Sequence, residues 1–147
     1  NDLGRVCEPG SVQVAQSMSV RKYSHVQHLV SEVVGELPAT RSSYDVLKSV
    51  FPAGTVSGAP KVRAMDIIDE LEGIRRGPYA GCVGYFSPDG SCDFAISIRT
   101  LFAKRSNAFV QSGAGIVSDS DPAREFEECQ SKAQALLLAA GIGGEQE

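Results

Sequence analysis

The sequence predicts an α+β fold in which a largely antiparallel sheet packs with helices. Three observations indicate this class: strands joined directly by turns such as Pro88-Asp89-Gly90, two helical stretches between the early and the late strands, and a long helical stretch near the carboxyl end. Strands joined by short turns pair antiparallel, whereas a doubly wound parallel sheet needs a longer crossover between its strands. The 147 residues match the size of one domain, expected over residues 1–142, with a flexible tail over residues 143–147.

The first half of the chain predicts two strands and then two helices. Residues 11–23 alternate apolar and polar side chains, as a strand does, and residues 26–37 form the second predicted strand. Residues 26–37 also fit helical spacing, but their β-branched content favours a strand. Ser42 can cap a short helix that ends near Phe51, and a second helix begins at Pro60.

The second half of the chain predicts a three-stranded meander and a final helix. The strands are expected over residues 78–87, 91–104 and 108–118, and they are separated by Pro-Asp-Gly and Ser-Asn turns. Residues 123–140 are good helix formers behind a capping aspartate, and Gly141 ends this helix.

Composition and charge exclude several functional classes. Hydrophobic residues make up 42% and charged residues 22% of the chain, so it can bury a core. The net charge is -4 and the basic residues are scattered, which argues against a nucleic-acid surface because such a surface must neutralise phosphates. No charged-then-apolar leader is visible, and the longest apolar run, residues 133–140, is too short to span a bilayer. We therefore expect a soluble cytoplasmic protein that binds neither nucleic acid nor a membrane.

The four cysteines do not have metal-binding spacing. None of them forms a Cys-x-x-Cys pair, so zinc is not indicated. Cys82 and Cys92 flank the Pro-Asp-Gly turn and could face each other across a hairpin. Buried free thiols are the favoured interpretation, as in other cytoplasmic proteins.

The segment FPAGTVSGAPK, residues 51–61, places small residues, hydroxyls and a lysine before a helix. A phosphate loop needs Gly-x-x-x-x-Gly-Lys-Ser/Thr, but Gly54 and Gly58 are only four residues apart and Lys61 is three beyond Gly58. The spacing therefore does not favour a nucleotide. Free amides at the start of the helix, with the hydroxyl of Thr55, still favour an anion, and a carboxylate serves as well as a phosphate. A plain turn with a capping serine is the competing interpretation.

Two further segments each admit two interpretations. Gly113 and Gly115 interrupt an apolar strand, which indicates the close approach of either a ligand or another chain segment. Glu125 and Glu128 share a helix face, and Lys132 lies four residues beyond Glu128. Two carboxylates suit a hard cation such as Mg²⁺, whereas an exposed Glu–Lys pair of small stability value is the simpler explanation.

Histidine, tyrosine and arginine supply the remaining candidates. His25 and His28 are three residues apart and would face opposite sides of a strand, and His28 could serve as an acid, a base or a hydrogen-bonding group. Tyr79 and Arg99 are expected on neighbouring strands, and arginine can bind a carboxylate through two parallel hydrogen bonds. A structural histidine and a surface arginine are the alternatives.

Six ordered motifs give the chain a specific resemblance to a known family. In the order seen in chorismate-utilising enzymes, they are HLVSEVVGEL, FPAGTVSGAPK, YAGCVGYF, FAISIRT, GAGIVSDSDP and EECQSKA. Over nearly its whole length the sequence resembles the carboxy-terminal part of anthranilate synthase component I. Relatives that make aminodeoxychorismate tend to carry a second glycine and a serine where Ala53 and Thr55 stand here. The resemblance implies a portion of a larger chorismate-binding α/β/β/α sandwich.

The resemblance also implies a set of residues that contact chorismate. They are Thr55, Tyr79, Arg99, Gly113, Ala114, Gly115 and Lys132. Tyr79 and Arg99 would hold a substrate carboxylate, Thr55 would line the pocket, and Lys132 would lie near the ring carboxylate. The strand that carries the two glycines would offer its backbone N–H groups to a carboxylate.

The resemblance implies a metal and a catalytic histidine as well. Glu128, with Glu125 nearby, is similar to the carboxylates that bind Mg²⁺ in the family. The metal would also grip the ring carboxylate of chorismate. His28 is similar to the histidine near the reacting ring, which supports the elimination of pyruvate.

The implied activity is that of a chorismate-utilising lyase in tryptophan biosynthesis. Chorismate and ammonia would give anthranilate and pyruvate, with the ammonia supplied by a glutamine amidotransferase subunit. The family's first magnesium carboxylate lies in the helix that leads into the motif RNDLGR, whereas this sequence begins at NDLGR, and the general acid and the tryptophan feedback site lie further upstream. The resemblance therefore predicts a chain truncated at its amino end that does not turn over chorismate alone. We also expect its exposed apolar surface to cause self-association.

Three other functions stay open. The chain could belong to an aminodeoxychorismate or an isochorismate/salicylate synthase, or be a non-catalytic module that docks an amidotransferase. A nucleotide-binding protein is disfavoured by the Gly–Lys spacing. The intact set of candidate residues speaks against a non-catalytic module. Titration with Mg²⁺ and a chorismate analogue would separate a chorismate enzyme from a docking module, since a docking module would show no magnesium-dependent binding.

Overall fold

The computed structural model describes residues 1–22 and 27–141, and these fall into two compact units. The first unit comprises residues 1–51 together with residues 86–92, and the second comprises residues 52–85 together with the described residues from 93 onward. Helices and antiparallel strand pairs make up both units, so the predicted α+β class is confirmed. His25 and the expected flexible tail over 143–147 lie outside the described residues.

The first unit is built around a long antiparallel strand pair. A short 3-10 helix at Leu3–Arg5 precedes β1 (Gln13–Lys22), β2 (Gln27–Val34) and the helix α1 (Ser43–Val50). Both strands follow the predicted positions closely, and Val20 pairs with Leu29 in their register. Met18 interrupts the ladder with a left-handed φ of 46°, and its amide donates a 3.0 Å hydrogen bond to the Ser31 hydroxyl. This irregularity follows from a bulge, which adds a residue to one strand.

The predicted cap of α1 is confirmed. The Ser42 hydroxyl accepts from the Asp45 amide, and the Asp45 carboxylate accepts from the Ser42 amide at 2.9 Å, which forms a reciprocal capping box. Hydrogen bonds from the backbone and side chain of Ser42 lower the pKa of Asp45. The helix ends at Phe51, as predicted, and the Ser49 hydroxyl donates a 2.6 Å bond to the Asp2 carbonyl.

The second unit holds the remaining elements. In chain order they are α2 (Gly54–Ser57), α3 (Lys61–Leu71), the hairpin strands β3 (Cys82–Phe86) and β4 (Cys92–Ile96), the pair β5 (Leu101–Lys104) and β6 (Asn107–Val110), and α4 (Pro122–Ala139). The ends of β3 and β4 at the hairpin turn belong to the first unit. The single-turn helix α2 was not predicted from the sequence.

The hairpin of β3 and β4 contains both the predicted turn and a very close backbone approach. The amide and hydroxyl of Ser91 donate to the Asp89 carboxylate at 2.9 and 2.7 Å, and Gly90 takes a left-handed φ of 87°. Inside the hairpin, the Phe94 ring lies over Gly84, where a Cβ would come within 2.5 Å of the ring. Gly84 is therefore required for this packing.

All three strands predicted in the second half are wrong in extent, and the predicted meander is replaced by separate strand pairs. The strand predicted over 78–87 begins only at Cys82. Residues 91–104 form two strands, because residues 97–100 leave the ladder between β4 and β5. The strand predicted over 108–118 ends with β6 at Val110, so Gly113 and Gly115 lie beyond it. The described strands form three two-stranded sheets.

The long helix α4 agrees with its prediction at both ends. The Asp121 carboxylate accepts a 3.0 Å bond from the Arg124 amide, and Gly141 follows the helix with a left-handed φ of 71°. Neither α4 nor any other helix in the described part of the chain combines the length and the apolar character that a membrane crossing requires.

Many apolar side chains are exposed, and few residues are fully buried. Val62 and Leu71 of α3 are 76% and 78% exposed, and β1 and β2 also carry exposed apolar side chains. All four cysteines have free thiols, as predicted, but the prediction that they are buried is wrong, since Cys82 is exposed and the other three are half-buried. The buried residues of the second unit that the structure describes are Ala80 and Ser97.

Candidate functional site

The buried residues Ala80 and Ser97 join the segments that carry Tyr79 and Arg99. The Ala80 amide donates to the Ser97 carbonyl at 3.1 Å, and the Ser97 amide donates to the Gly81 carbonyl at 2.9 Å. The prediction that Tyr79 and Arg99 lie on neighbouring strands is wrong, because Tyr79 precedes β3 and Arg99 lies between β4 and β5. The two segments are nevertheless brought side by side by these backbone hydrogen bonds.

Left-handed backbone shapes both segments. Ala80 has a φ of 64° and Arg99 a φ of 50°, which residues with a Cβ seldom adopt. Such conformations persist where surrounding contacts fix them, and the hydrogen bonds of Ser97 provide that here. Arg99 lies in the irregular stretch between β4 and β5, beyond the end of β4 at Ile96, and it is exposed.

Tyr79 lies against Gly113. Its hydroxyl oxygen would be only 3.0 Å from a Cβ built on Gly113, so the absence of a side chain there lets the phenol approach the backbone. Burial raises the pKa of Tyr79, so its hydroxyl is protonated at neutral pH and can donate a hydrogen bond. Close approach at Gly113 was predicted, and Tyr79 is the group that approaches.

Lys132 connects the Gly113 segment to the acidic face of α4. Its ammonium donates to the Gly113 carbonyl at 3.2 Å and forms a short ion pair with Glu128 one turn away. A second bond runs between the same segments, because the Ser112 hydroxyl donates to the Cys129 carbonyl at 2.7 Å. The segment is thus held against α4 from both sides of its glycine.

The other members of the Gly113 segment differ in their surroundings. Ala114 is half-buried, whereas Gly115 is exposed and a Cβ there would meet nothing within 4 Å. Alanine would therefore fit at position 115 without a clash.

Thr55 lies on the exposed side of α2. The turn is closed by a 2.8 Å bond from the Gly58 amide to the Gly54 carbonyl and by a 2.9 Å bond from the Ser57 hydroxyl to the Ala53 carbonyl. Ser57 thus bonds within the turn rather than capping α3, whose N-cap is Pro60 without a side-chain bond.

Arg76 was missed from the sequence, although it touches both the Thr55 turn and Tyr79. It donates to the Val56 carbonyl at 2.6 Å, and its guanidinium carbon lies 5.8 Å from the centre of the Tyr79 ring. The pair Glu72–Arg76, four residues apart just beyond α3, was a signal that could have found it.

His28 belongs to the first unit. It lies in β2, half-buried and paired across the ladder with Arg21. His28 and Gly113 therefore belong to different units.

The acidic face of α4 suits a magnesium ion that keeps most of its water. Glu125 is half-buried and Glu128 is exposed, and their spacing of three places both carboxylates on one helix face. No group of three or more His, Cys, Asp or Glu side chains suited to a metal occurs in residues 1–22 and 27–141. Because Mg²⁺ is often held by only one or two carboxylates plus waters and substrate oxygens, this donor set fits it.

The second unit therefore collects groups that can bind a small dianion. The neutral phenol of Tyr79, the ammonium of Lys132 and the backbone of Gly113 are joined by direct contacts, and the two carboxylates lie beside them on α4. Cationic, phenolic and N–H donors, together with a hydrated cation held by the two carboxylates, would serve two carboxylate groups on one ligand.

A family model and individual relatives both identify this chain as similar to chorismate-utilising enzymes. Residues 1–138 match the model of the family described as chorismate binding enzyme. The chain is 57% identical over 147 residues to an anthranilate synthase component 1 from Aquifex aeolicus, and 54% identical over 145 residues to one from Acetivibrio thermocellus. It covers 30% and 29% of the lengths of these two relatives, so it spans less than a third of each.

Solved structures of similar proteins share this fold, and two of them agree closely with this chain. Anthranilate synthase component I from Streptococcus pneumoniae superposes with a TM-score of 0.87 and 50% identity, covering 92% of this chain and 31% of that one. A Bacillus anthracis protein, provisionally described as a 2,3-dihydroxybenzoate-specific isochorismate synthase, gives a TM-score of 0.86 and 28% identity, covering 97% of this chain and 38% of that one.

Proposed function

Because the chain belongs to the chorismate binding enzyme family, we propose that it binds chorismate and contributes to the synthesis of anthranilate. The contacts that join Tyr79, Gly113, Lys132 and Glu128 support this most directly, since they gather donors for a dicarboxylate in one unit. The identity of 57% to an anthranilate synthase component 1 favours anthranilate as the product.

We assign the substrate carboxylates to two sets of groups. Tyr79 and Arg99 hold one carboxylate, and the protonated phenol donates to it together with the guanidinium. The backbone of residues 113–115 and the ammonium of Lys132 hold the other carboxylate. Thr55 lines the pocket between them.

Glu128 and Glu125 would hold Mg²⁺, which, when bound, would polarise chorismate and neutralise its ring carboxylate. Lys132 forms an ion pair with Glu128. When chorismate binds, the ammonium of Lys132 can exchange its ion pair with Glu128 for one with the substrate carboxylate.

The proposed reaction adds ammonia at ring carbon 2 of chorismate while the 4-hydroxyl leaves as water. Proton transfer to that oxygen makes it a better leaving group. The intermediate then loses its enolpyruvyl group as pyruvate and the ring C2 proton, and so becomes aromatic. His28 is the residue assigned to support this elimination. Chorismate and ammonia thus give anthranilate, pyruvate and water.

A fluorescence assay tests this proposal. We would purify the natural gene product that carries these residues and supply chorismate, Mg²⁺ and ammonium. Anthranilate fluorescence should rise, and it should vanish when the metal is chelated or when Arg99 is changed to Met. The matched control Arg105→Met, at an exposed arginine between β5 and β6, should retain activity within about twofold. Chromatography of the products would contradict the proposal if only isochorismate, salicylate or aminodeoxychorismate formed.

Isochorismate formation is the second candidate, because the Bacillus anthracis structure superposes almost as well as the first. The assay separates the two, since isochorismate forms from water without ammonium. A non-catalytic docking module is the third candidate, and for it magnesium-dependent binding of a chorismate analogue would be absent.

The biological setting belongs to the same proposal. Ammonia comes from a glutamine amidotransferase partner, and the reaction serves tryptophan biosynthesis in the cytoplasm. Self-association is proposed as well, supported by the exposed apolar side chains of β1, β2 and α3.

A further inference from the structure

The guanidinium of Arg76 hydrogen-bonds to two groups and contacts a third. Its Nε and Nη2 donate to the two oxygens of Glu72 at 2.7 and 2.6 Å, and its Nη1 donates to the Val56 carbonyl at 2.6 Å. Its central carbon lies over the Tyr79 ring, 5.8 Å from the centroid. The paired bonds to Glu72 fix the orientation of the guanidinium. This orientation lets its remaining nitrogen bond to Val56 while its carbon lies over the Tyr79 ring.

The turn that carries Thr55 needs such an anchor. The helix α2 has only four residues and no side-chain cap at its start, and isolated helices this short do not persist in water. The bond from Arg76 holds α2 at Val56, the residue that follows Thr55. A substitution at Arg76 would therefore displace Thr55, although Arg76 bonds to its neighbour Val56 rather than to Thr55 itself.

The same guanidinium also orients Tyr79. Besides the ring contact, the Tyr79 amide donates to the Arg76 carbonyl at 3.2 Å, so the backbone and the ring both pack on this arginine. The far end of the ring is the hydroxyl that lies against Gly113. Arg76 thus contacts the ring of the residue whose hydroxyl lies against Gly113.

We propose, on the basis of the chorismate-binding function above, that Arg76 is a positioning residue, locked by Glu72, that sets both the Thr55 turn and the Tyr79 phenol for the substrate. Lysine cannot replace it, because a single ammonium cannot make the paired bonds to Glu72 and still reach Val56 along a second direction. The pKa of Glu72 is lowered by its hydrogen bonds from Arg76, so the pair is ionised throughout the neutral range.

The first arm of the test measures chorismate kinetics in the natural gene product. Arg76→Lys should raise the KM for chorismate about tenfold, equal to the loss of one charge-assisted hydrogen bond, and leave kcat within about threefold. Glu72→Gln should raise KM by a smaller factor, because an amide oxygen still accepts one bond. The matched control is Arg75→Lys, at the neighbouring exposed arginine, which should leave KM within about twofold.

The second arm measures local order by hydrogen exchange and uses no chorismate. In Arg76→Lys, the amides of Val56 and Gly58 should exchange about tenfold faster, while those in the middle of α4 stay unchanged. The proposal is overturned if these amides keep their protection, or if they lose it and KM does not rise. A lack of any turnover in the unaltered protein would overturn the proposed function alone, since the exchange arm would still show whether Arg76 holds the turn.

Discussion

Gly84→Ala will destabilise the protein by about 3 kcal/mol, at the upper end of the range for overpacking. A Cβ at this position would lie 2.1 Å from the Asp93 carbonyl oxygen and 2.5 Å from a ring carbon of Phe94. The carbonyl belongs to the paired strand, so it cannot move without breaking the hairpin of β3 and β4. Thermal unfolding followed by circular dichroism should show a midpoint roughly 6–12 °C lower.

Gly73→Ala is the matched control for this measurement. It makes the same chemical change beyond the end of α3, where a Cβ would meet nothing within 4 Å. Its midpoint should stay within about 2 °C of the unaltered protein or rise slightly, since alanine restricts the unfolded chain. Equal midpoints for the two variants would show that the hairpin does not have the close packing described.

Lys132→Met will reduce kcat/KM for chorismate by roughly 10- to 200-fold, the range expected when a hydrogen bond to a charged group is lost. The lysine contacts both the Gly113 carbonyl and Glu128, so its removal takes away one of the bonds that hold the segment to α4 and leaves the substrate carboxylate without its cation. Initial rates at varied chorismate give this ratio, and Lys104→Met, at an exposed lysine of β5, is the control.

The same variant should bind Mg²⁺ several-fold more tightly when chorismate is absent. An ammonium in contact with Glu128 opposes a second cation there, and its loss removes this repulsion. Calorimetric titration with Mg²⁺ measures the affinity directly. Activity lost together with unchanged magnesium affinity would show that the ion pair with Glu128 and the metal site are independent, contrary to the proposed arrangement.

Local chemistry made much of the fold predictable. The Ser42 capping box, the Pro-Asp-Gly turn, the Asp121 cap and the final Gly141 all depend on residues within a few positions of one another. The break at residues 97–100 was not predictable, because the sequence there continues to alternate as a strand does. The break depends on hydrogen bonds from Ser97 to a segment some sixteen residues earlier, which no local pattern reveals.

The candidate site was predictable in its residue types but not in its connections. Glu128 and Lys132 share a helix, so their ion pair followed from spacing alone. The approach of Tyr79 to Gly113 joins positions 34 residues apart, and the glycine indicated only that something comes close. Arg76 was overlooked because its partner in the Thr55 turn is a backbone carbonyl. Every residue type has such a carbonyl, so the sequence gives no sign of the bond.

The bonds that Arg76 and Lys132 make to the backbone have a consequence for the comparison of homologous sequences. Position 56 can change among apolar residues without loss of the bond to Arg76, because that bond goes to a backbone carbonyl. The bond of Lys132 also goes to a carbonyl, and the glycine at position 113 is needed for the approach of Tyr79 rather than for this bond. An alignment of homologues should therefore show no covariation between positions 56 and 76 or between positions 113 and 132. Drift at positions 76 and 132 would break these bonds with no compensating change elsewhere, so these two columns should vary less than their solvent exposure suggests.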